Sequence, residues 1–346
     1  MAGVVASRDL HRPAVLVLDT LAVAGCYYAA GRLGLTRQLV VEGAVFTPIW
    51  PPTGVAVAAL LLLGLRCWAG IALGVLLVIL SITTDLTPAV IGTLFGNTAA
   101  PVCAYLLLRR AGFRTDLSRL QDGLALVFLG AFTAMLISSI TGAGLLVLTG
   151  KIAAHSFWPV WLAWWVGDAM GVLIVTPLLL LLTRARWPPH PSHWRWPEAL
   201  ALAVSTAVLV PVGTHYDVSV LFLVYPLLIW AALRFQLTGT MLCALFASVM
   251  ATIAATDRTG PFDGLTRIEV MIKLQAFNGA MALTALLLSA VITEQRNTRR
   301  SVENACQELV EVLEHLTAGD PPPAVRPPQS RTPTDTGPRP GEPPPR

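Results

Sequence analysis

A succession of apolar segments, each long enough or nearly long enough to cross a bilayer, dominates this chain. A helix needs about 20 apolar residues to cross ~30 Å of hydrocarbon. The longer segments are 13–30, 67–84, 88–108, 122–148, 157–182, 237–256 and 268–293, and the shorter ones are 52–65, 197–212 and 218–233. Because a helix satisfies its own backbone hydrogen bonds in lipid, we predict an all-α membrane protein, a polytopic bundle of about ten transmembrane helices.

Composition agrees with this class of protein. The residues are 55% hydrophobic and 13% charged, and the mean hydropathy of +0.66 is too high for a soluble domain. Residues 52–84, which Arg66 interrupts, allow two interpretations, two full spans or a re-entrant hairpin. The predicted number of crossings is therefore eight to ten, and both numbers leave the later loops on the same sides.

Basic residues are distributed unevenly between the two sides of the predicted bundle. Fourteen lie on one side, namely Arg8, Arg12, Arg66, Arg109, Arg110, Arg114, Arg119, Arg184, Arg186, Arg195, Arg234, Arg296, Arg299 and Arg300. Six lie on the other side, namely Arg32, Arg37, Lys151, Arg258, Arg267 and Lys273. Because basic loops stay in the cytoplasm, we predict a cytoplasmic N-terminus (residues 1–12) and a cytoplasmic C-terminus.

Two local patterns refine this topology. Residues 23–26 resemble a lipoprotein cleavage box that ends at Cys26, but the apolar run continues to Ala30, which favours an uncleaved first span over a lipidated terminus. Glycine pairs spaced by four residues recur inside the spans, and such pairs let helix backbones approach closely. They are Gly70/Gly74, Gly92/Gly96 and Gly167/Gly171.

The 53 residues after the last span are too few for a typical signalling enzyme domain. Residues 294–318 carry apolar side chains at alternating steps of four and three, which predicts a coiled-coil-like helix that forms a homodimer or binds a partner helix. That seam consists of Val302, Cys306, Leu309, Leu313 and Leu316. Residues 319–346 are rich in proline and are predicted to be a disordered tail.

Polar side chains inside the spans are the candidate ligand-binding residues, because burial in lipid is costly without a partner. Asp168 lies roughly 16 Å deep in its span, one turn from Trp164 and Trp165. Asn97 lies near mid-span, and Pro101 cannot donate to its carbonyl. Helix packing around a protonated Asp168 and a proline kink at Asn97 are the structural alternatives.

The remaining candidates flank these two positions. Trp50 and Thr53 belong to a proline-rich segment that we interpret as an outer lip or gate with an interfacial tryptophan. Trp161 precedes Asp168 by seven residues, and Gln275 and Asn278 place polar atoms on the outer half of the last span. Lys273 is expected to extend to the outer interface.

Several classes of site are absent from the sequence. It contains no glycine-rich phosphate loop, nucleophile elbow or HExxH motif, so we predict no catalytic residues and no enzyme. Cysteines and histidines lack metal-ligand spacing, which predicts no metal site and no cofactor. Dispersed arginines argue against binding to nucleic acid.

In their order along about residues 14–296, several strings resemble one family, the first type of membrane-associated sensor (MASE) domain. They are WPPTG at 50–54, glycines and Trp68 within 64–74, Gly96-Asn97, WLAWWVGDAMG at 161–171 with PLL at 177–179, YPLLIWAALRF at 225–235, GPF at 260–262 and LQAF at 274–277. The resemblance implies a sensory module of the bacterial plasma membrane. Such modules are usually fused through the last helix to a histidine kinase or a cyclic-di-GMP enzyme.

This chain departs from that pattern, because a proline-rich tail follows the last helix. The leading hypothesis is therefore a sensor that binds a small ligand, or responds to membrane state, and relays a shift of its last helix to a separate signalling kinase or enzyme. One alternative is a small transporter coupled to protons or cations through Asp168. Another is a membrane scaffold for a partner protein.

Overall fold

The computed structural model describes residues 2–41, 44–83, 87–184, 196–216 and 221–318. The chain divides into two units, Met1–Gln295 and Arg296–Arg346, and the second is described as far as Ala318. The predicted tail, residues 319–346, and the side chain of Leu316 lie outside the described residues.

The first four helices are α1 (Ala2–Gly34), α2 (Pro51–Leu63), α3 (Trp68–Ile82) and α4 (Pro88–Arg110). Helix α1 already includes most of the predicted N-terminal segment. An antiparallel hairpin of β1 (Leu39–Val41) and β2 (Ala44–Phe46) lies between α1 and α2, with Val40 opposite Val45. Prolines begin α2 and α4, where the missing N–H has no helical partner to lose.

The later helices contain two π-helical interruptions. Helix α5 (Leu120–Ala125) leads through π-helical Leu126–Thr133 towards α6 (Leu136–Leu148), and α7 (Phe157–Met170) leads through π-helical Gly171–Val175 into α8 (Thr176–Arg184). The chain ends with α9 (Trp196–His215), α10 (Val224–Asp257) and α11 (Arg267–Ala318).

Helix α10 contains a break at the predicted position. Gln236 has φ 54° and ψ −147°, which no helix accommodates. A straight helix of 34 residues would be roughly 51 Å long, but Leu221 packs in one cluster with Ala251 and Ala254. The chain therefore folds back at Gln236, and the separation of the predicted segments 218–233 and 237–256 is confirmed.

The all-α polytopic bundle is thus confirmed. Among the described residues, eight helices are long and apolar enough to cross a membrane, and Pro51–Leu63 is a shorter apolar helix. Counting that helix and both halves of α10 gives ten, so the predicted range of eight to ten holds. Two main apolar clusters form the interior. One consists of residues of α1 to α3 with Tyr105 of α4, and the larger one joins Val57 of α2 to residues of α4 through α11.

The glycine pairs lie at close contacts with neighbouring segments, as predicted, and the nearest atoms are backbone at Gly70, Gly167 and Gly171 and side chain at Gly74, Gly92 and Gly96. A Cβ atom at Gly70 would come within 2.6 Å of the Thr20 carbonyl oxygen, and one at Gly74 within 2.6 Å of Tyr27, so α3 packs closely against α1. A Cβ atom at Gly96 would overlap the Thr141 side chain of α6. Larger residues at these positions would force the helices apart.

Chain direction defines two ends of the bundle. The hairpin end is the end at which α1 and α3 finish and α4 and α7 begin, and the opposite end carries the Arg66 turn between α2 and α3. Arg37 pairs with Asp257 across 3.1 Å at the hairpin end. At the opposite end, the backbone N–H of Leu120 donates to Glu294 at 2.9 Å.

Candidate functional site

The non-helical residues 47–50, here called the lead-in segment, enter the bundle along α7. The backbone N–H of Trp50 donates to the carbonyl of Gly167 at 2.9 Å. Gly167 is ten residues after Phe157, or roughly 15 Å from the start of α7. Helix α2 therefore begins deep inside the bundle, and its 13 residues extend roughly 20 Å towards the opposite end.

Glycines make this approach possible. A Cβ atom at Gly171 would come within 2.0 Å of the Trp50 carbonyl oxygen, and one at Gly54 within 2.2 Å of the Gly171 carbonyl oxygen. The Gly167/Gly171 pair thus packs against the lead-in segment and against the start of α2. The first is a contact between a helix and a loop, and the second is a contact between two helices.

Two threonine hydroxyls form hydrogen bonds at this junction, the contact between the start of α2 and the α7–α8 region. Thr53 Oγ1 lies within donating distance of the Trp50 carbonyl, at 2.8 Å, and of the Asp168 backbone carbonyl, at 3.1 Å. Thr176 Oγ1 donates to the carbonyl of Gly54 at 3.1 Å. The π-helical turn Gly171–Val175 lies between Asp168 and Thr176, which make these two contacts. π-Bulges are often found at functional sites.

Asp168 is buried beside this junction, with 1% of its surface exposed. Ser138 Oγ of α6 donates to its Oδ2 at 2.5 Å. The Trp164 side chain also contacts this carboxyl group, and Oδ1 has no hydrogen-bond partner among the described residues. The carboxyl group therefore has one oxygen free to bind something else.

Two other aspartates in helices, Asp122 and Asp19, are paired with arginine. Asp122 is also 1% exposed, but it accepts hydrogen bonds from the Arg114 backbone N–H and from two nitrogens of Arg119. The Asp122 hydrogen bond raises the pKa of Arg119. Asp19 lies 3.2 Å from Arg66. Asp168 differs from both, because no arginine or lysine among the described residues forms an ion pair with it.

A cavity of about 180 Å³ opens next to Asp168. The depth of the cavity can be measured along two helices. Asn97 is nine residues from the start of α4 and Asp168 is eleven residues from the start of α7, which places them roughly 14 and 16 Å from the hairpin end. The lining residues are Tyr27, Leu35, Thr47, Trp50, Val75, Val78, Ile79, Ile82, Thr93, Asn97, Ala163, Trp164, Gly167 and Asp168. The cavity is apolar with one carboxyl group, one amide and three aromatic side chains.

Comparison with known proteins identifies the family to which this architecture belongs. Residues 20–296 match the family MASE1, a span that contains every residue of the cavity. This chain belongs to the MASE1 family. MASE1 is a family of membrane sensory domains, so the resemblance drawn from the sequence is confirmed. No curated protein and no solved structure matches the chain.

Four of the predicted binding residues meet at the MASE1 cavity, namely Trp50, Asn97, Trp164 and Asp168. Thr53 lies beside it through its contact with the Asp168 carbonyl. Asn97 donates through Nδ2 to the carbonyl of Thr93 at 2.9 Å. Trp50 was expected at the membrane interface, and that expectation is wrong, because the lead-in segment carries it to the level of Gly167.

Trp161 and Trp165 do not line the cavity. Their rings stack at 5.7 Å, and Trp165 Nε1 donates to the carbonyl of Phe132 at 2.8 Å. Trp161 also packs in a cluster with Met271 of α11. These contacts give both tryptophans a role in helix packing.

Gln275 and Asn278 also lie away from the lining residues, on α11. Gln275 Oε1 and both amide atoms of Asn278 are buried without a hydrogen-bond partner among the described residues. Lys273 donates to the carbonyl of Pro261 at 2.6 Å, so its ammonium group is held by a loop at the hairpin end.

Sequence reasoning missed Tyr27 and Ser138. Tyr27 is 1% exposed and lines the cavity, and Ser138 supplies the hydrogen bond to Asp168. A hydroxyl inside a predicted span was the available signal, because such a group needs a partner in lipid. No group of three or more histidine, cysteine, aspartate and glutamate residues could hold a metal in the described parts of the chain.

Proposed function

We propose that this MASE1 protein is a sensor that binds a small ligand in the Asp168 cavity and relays the change through α11 to a separate partner protein. One observation carries the proposal: the buried Asp168 carboxyl group, one oxygen of which has no hydrogen-bond partner among the described residues, lines a cavity that reaches roughly 16 Å into the bundle. A buried polar atom without a partner is costly, so a ligand that supplies the missing contact is bound favourably.

The contacts around Ala163 support a route from this cavity to α11. Ala163 lines the cavity and also packs in one cluster with Met271 near the start of α11. A ligand that shifts α7 would therefore press on α11. The exposed apolar residues Val302, Leu309 and Leu313 of its last part are the surface proposed to contact a second copy or a partner helix.

We place the protein in the bacterial plasma membrane, with the opposite end and both termini in the cytoplasm. The support is the larger number of arginines at that end, including Arg66, Arg109 and Arg110.

A thermal-shift screen on the purified full-length protein tests the binding step. Ligands that stabilise the wild type should lose their effect on Asp168→Asn, which keeps the shape of the carboxyl group but cannot ionise. Asp19→Asn is the matched control, because it removes another aspartate from a span while leaving the cavity intact. The proposal fails if every stabilising ligand acts equally on all three proteins.

A proton- or cation-coupled transporter is the second candidate. The lead-in segment makes α2 a helix that begins within the bundle, and transporters build their substrate sites from such discontinuous helices. Ligand uptake into reconstituted vesicles separates the two functions: a transporter accumulates the ligand with turnover, and a sensor binds it at most once per site.

A further inference from the structure

We propose that the ligand of the Asp168 cavity is a small organic cation, with its ammonium group between the Asp168 carboxylate and the aromatic side chains of Tyr27, Trp50 and Trp164. This inference rests on the proposed function, because it names the ligand class of the same cavity.

Charge is the first argument. Asp168 is the only ionisable acid or base among the lining residues apart from the Tyr27 hydroxyl, so the protein supplies no counter-charge in the described cavity. Asp19 and Asp122 have arginine partners within 3.2 Å, whereas Oδ1 of Asp168 has no partner among the residues that the structure describes. A buried carboxylate is stable only when it is paired. An entering cation would complete the pair.

The aromatic lining is the second argument. Three of the lining side chains are aromatic, and most of the remainder are aliphatic, including Val75, Val78 and Ile79. Aromatic rings attract weakly hydrated organic cations, and aliphatic walls accept their methyl or methylene groups. A divalent metal ion instead requires several oxygen ligands, and this lining offers one carboxyl group.

The start of α2 does not offer the free N–H groups that an anionic ligand would need. A helix N-terminus normally presents free N–H groups to an anion. Here Pro51 and Pro52 have no N–H, and the N–H of Thr53 is directed to the carbonyl of Trp50 at 3.3 Å. Together with the Asp168 carboxyl group, this arrangement disfavours negative charge.

The cavity volume limits the size of the cation. About 180 Å³ is below the ~300 Å³ at which ordinary small-molecule pockets begin. That space suits a trimethylammonium group with a short chain. A nucleotide or a disaccharide is too large to be enclosed.

Binding of choline chloride to the full-length protein, purified in a detergent without an ammonium group, tests this inference by calorimetry. Its control is 3,3-dimethyl-1-butanol, which has the same shape with a carbon in place of nitrogen and carries no charge. We expect choline to bind at least tenfold more tightly than the alcohol. Asp168→Asn should remove most of that difference, and Asp19→Asn should retain it.

Trp164→Phe and Trp164→Leu supply a second measurement that does not depend on the carboxyl group. Loss of a cation–π contact should weaken choline binding roughly threefold to thirtyfold in the leucine variant, and less in the phenylalanine variant. Equal binding of choline and the alcohol, or choline binding that survives Asp168→Asn, would overturn the organic-cation assignment.

The two proposals fail in different ways. If choline and tetramethylammonium chloride do not bind, while the thermal-shift screen finds a neutral or anionic ligand that depends on Asp168, the cation assignment is wrong and the sensory site stands. If no ligand of any class depends on Asp168, both are wrong.

Discussion

Ser138 of α6 donates a 2.5 Å hydrogen bond to Asp168 of α7, whereas the neighbouring Ser139 donates only to carbonyls of its own helix. The two serines are adjacent in sequence and both fully buried. They can therefore be compared directly: the Ser138 hydroxyl bonds to the candidate site, and the Ser139 hydroxyl bonds to the backbone of its own helical segment.

The first prediction concerns this pair. Ser138→Ala removes the donor from a buried carboxyl oxygen and should lower the free energy of unfolding by about 1 to 3 kcal/mol. Ser139→Ala should change it by less than about 0.5 kcal/mol. Chemical unfolding in mild detergent measures both. In an Asp168→Leu background the cost of Ser138→Ala should vanish, and equal costs in both backgrounds would contradict the assigned contact.

The second prediction concerns the glycine contact between α7 and the lead-in segment. Gly171→Ala places a methyl group against the backbone oxygen of Trp50 and should destabilise the protein by about 1 to 3 kcal/mol or more. Gly144→Ala is the control, since a Cβ atom there meets nothing within 4 Å. That helical position should gain about 0.5 to 1 kcal/mol from the substitution. Similar thermal midpoints for both variants would rule out the close approach.

The third prediction concerns topology. Single cysteines introduced after Arg110 and at Gln236 should be labelled only from the cytoplasmic side, and those after Lys151 and Arg258 only from outside. Labelling at Gln236 tests whether α10 crosses the membrane twice, because this position would not lie at the membrane surface if α10 were one straight helix. Labelling of position 236 from outside would contradict the antiparallel arrangement inferred from Leu221.

The fourth prediction concerns the exposed seam of the last helix. If two copies pair through this seam in parallel, the native Cys306 should cross-link on mild oxidation of membranes, and Leu309→Pro should abolish the product. Cys26→Ser should be present throughout, because Cys26 is also exposed. In a Cys306→Ser background, a cysteine placed at Glu308 should cross-link poorly, and preferential cross-linking at that position would assign the contact to another face.

The spans and the central residue of the site could be predicted from the sequence, because hydrophobic length and a buried charge are local signals. Depth and polarity in the sequence predict both Asp168 and Asn97 as binding residues, and both line the cavity. Trp50 was placed wrongly, because its depth depends on a contact with Gly167 that no periodicity reveals. Gln275 carries the same amide group as Asn97, but it does not line the cavity. The difference depends on how α11 packs, which the sequence does not reveal.

The deep start of α2 also constrains the order in which this protein is assembled during synthesis. The lead-in segment is not helical, and lipid does not satisfy its N–H and C=O groups. The partners of this segment and of Thr53, namely Gly167, Asp168 and Gly171, lie more than a hundred residues downstream, and they leave the ribosome much later. Residues 47–54 therefore cannot reach their final position until α7 has been inserted. Membrane integration of this protein must include a late step in which an early part of the chain moves inward.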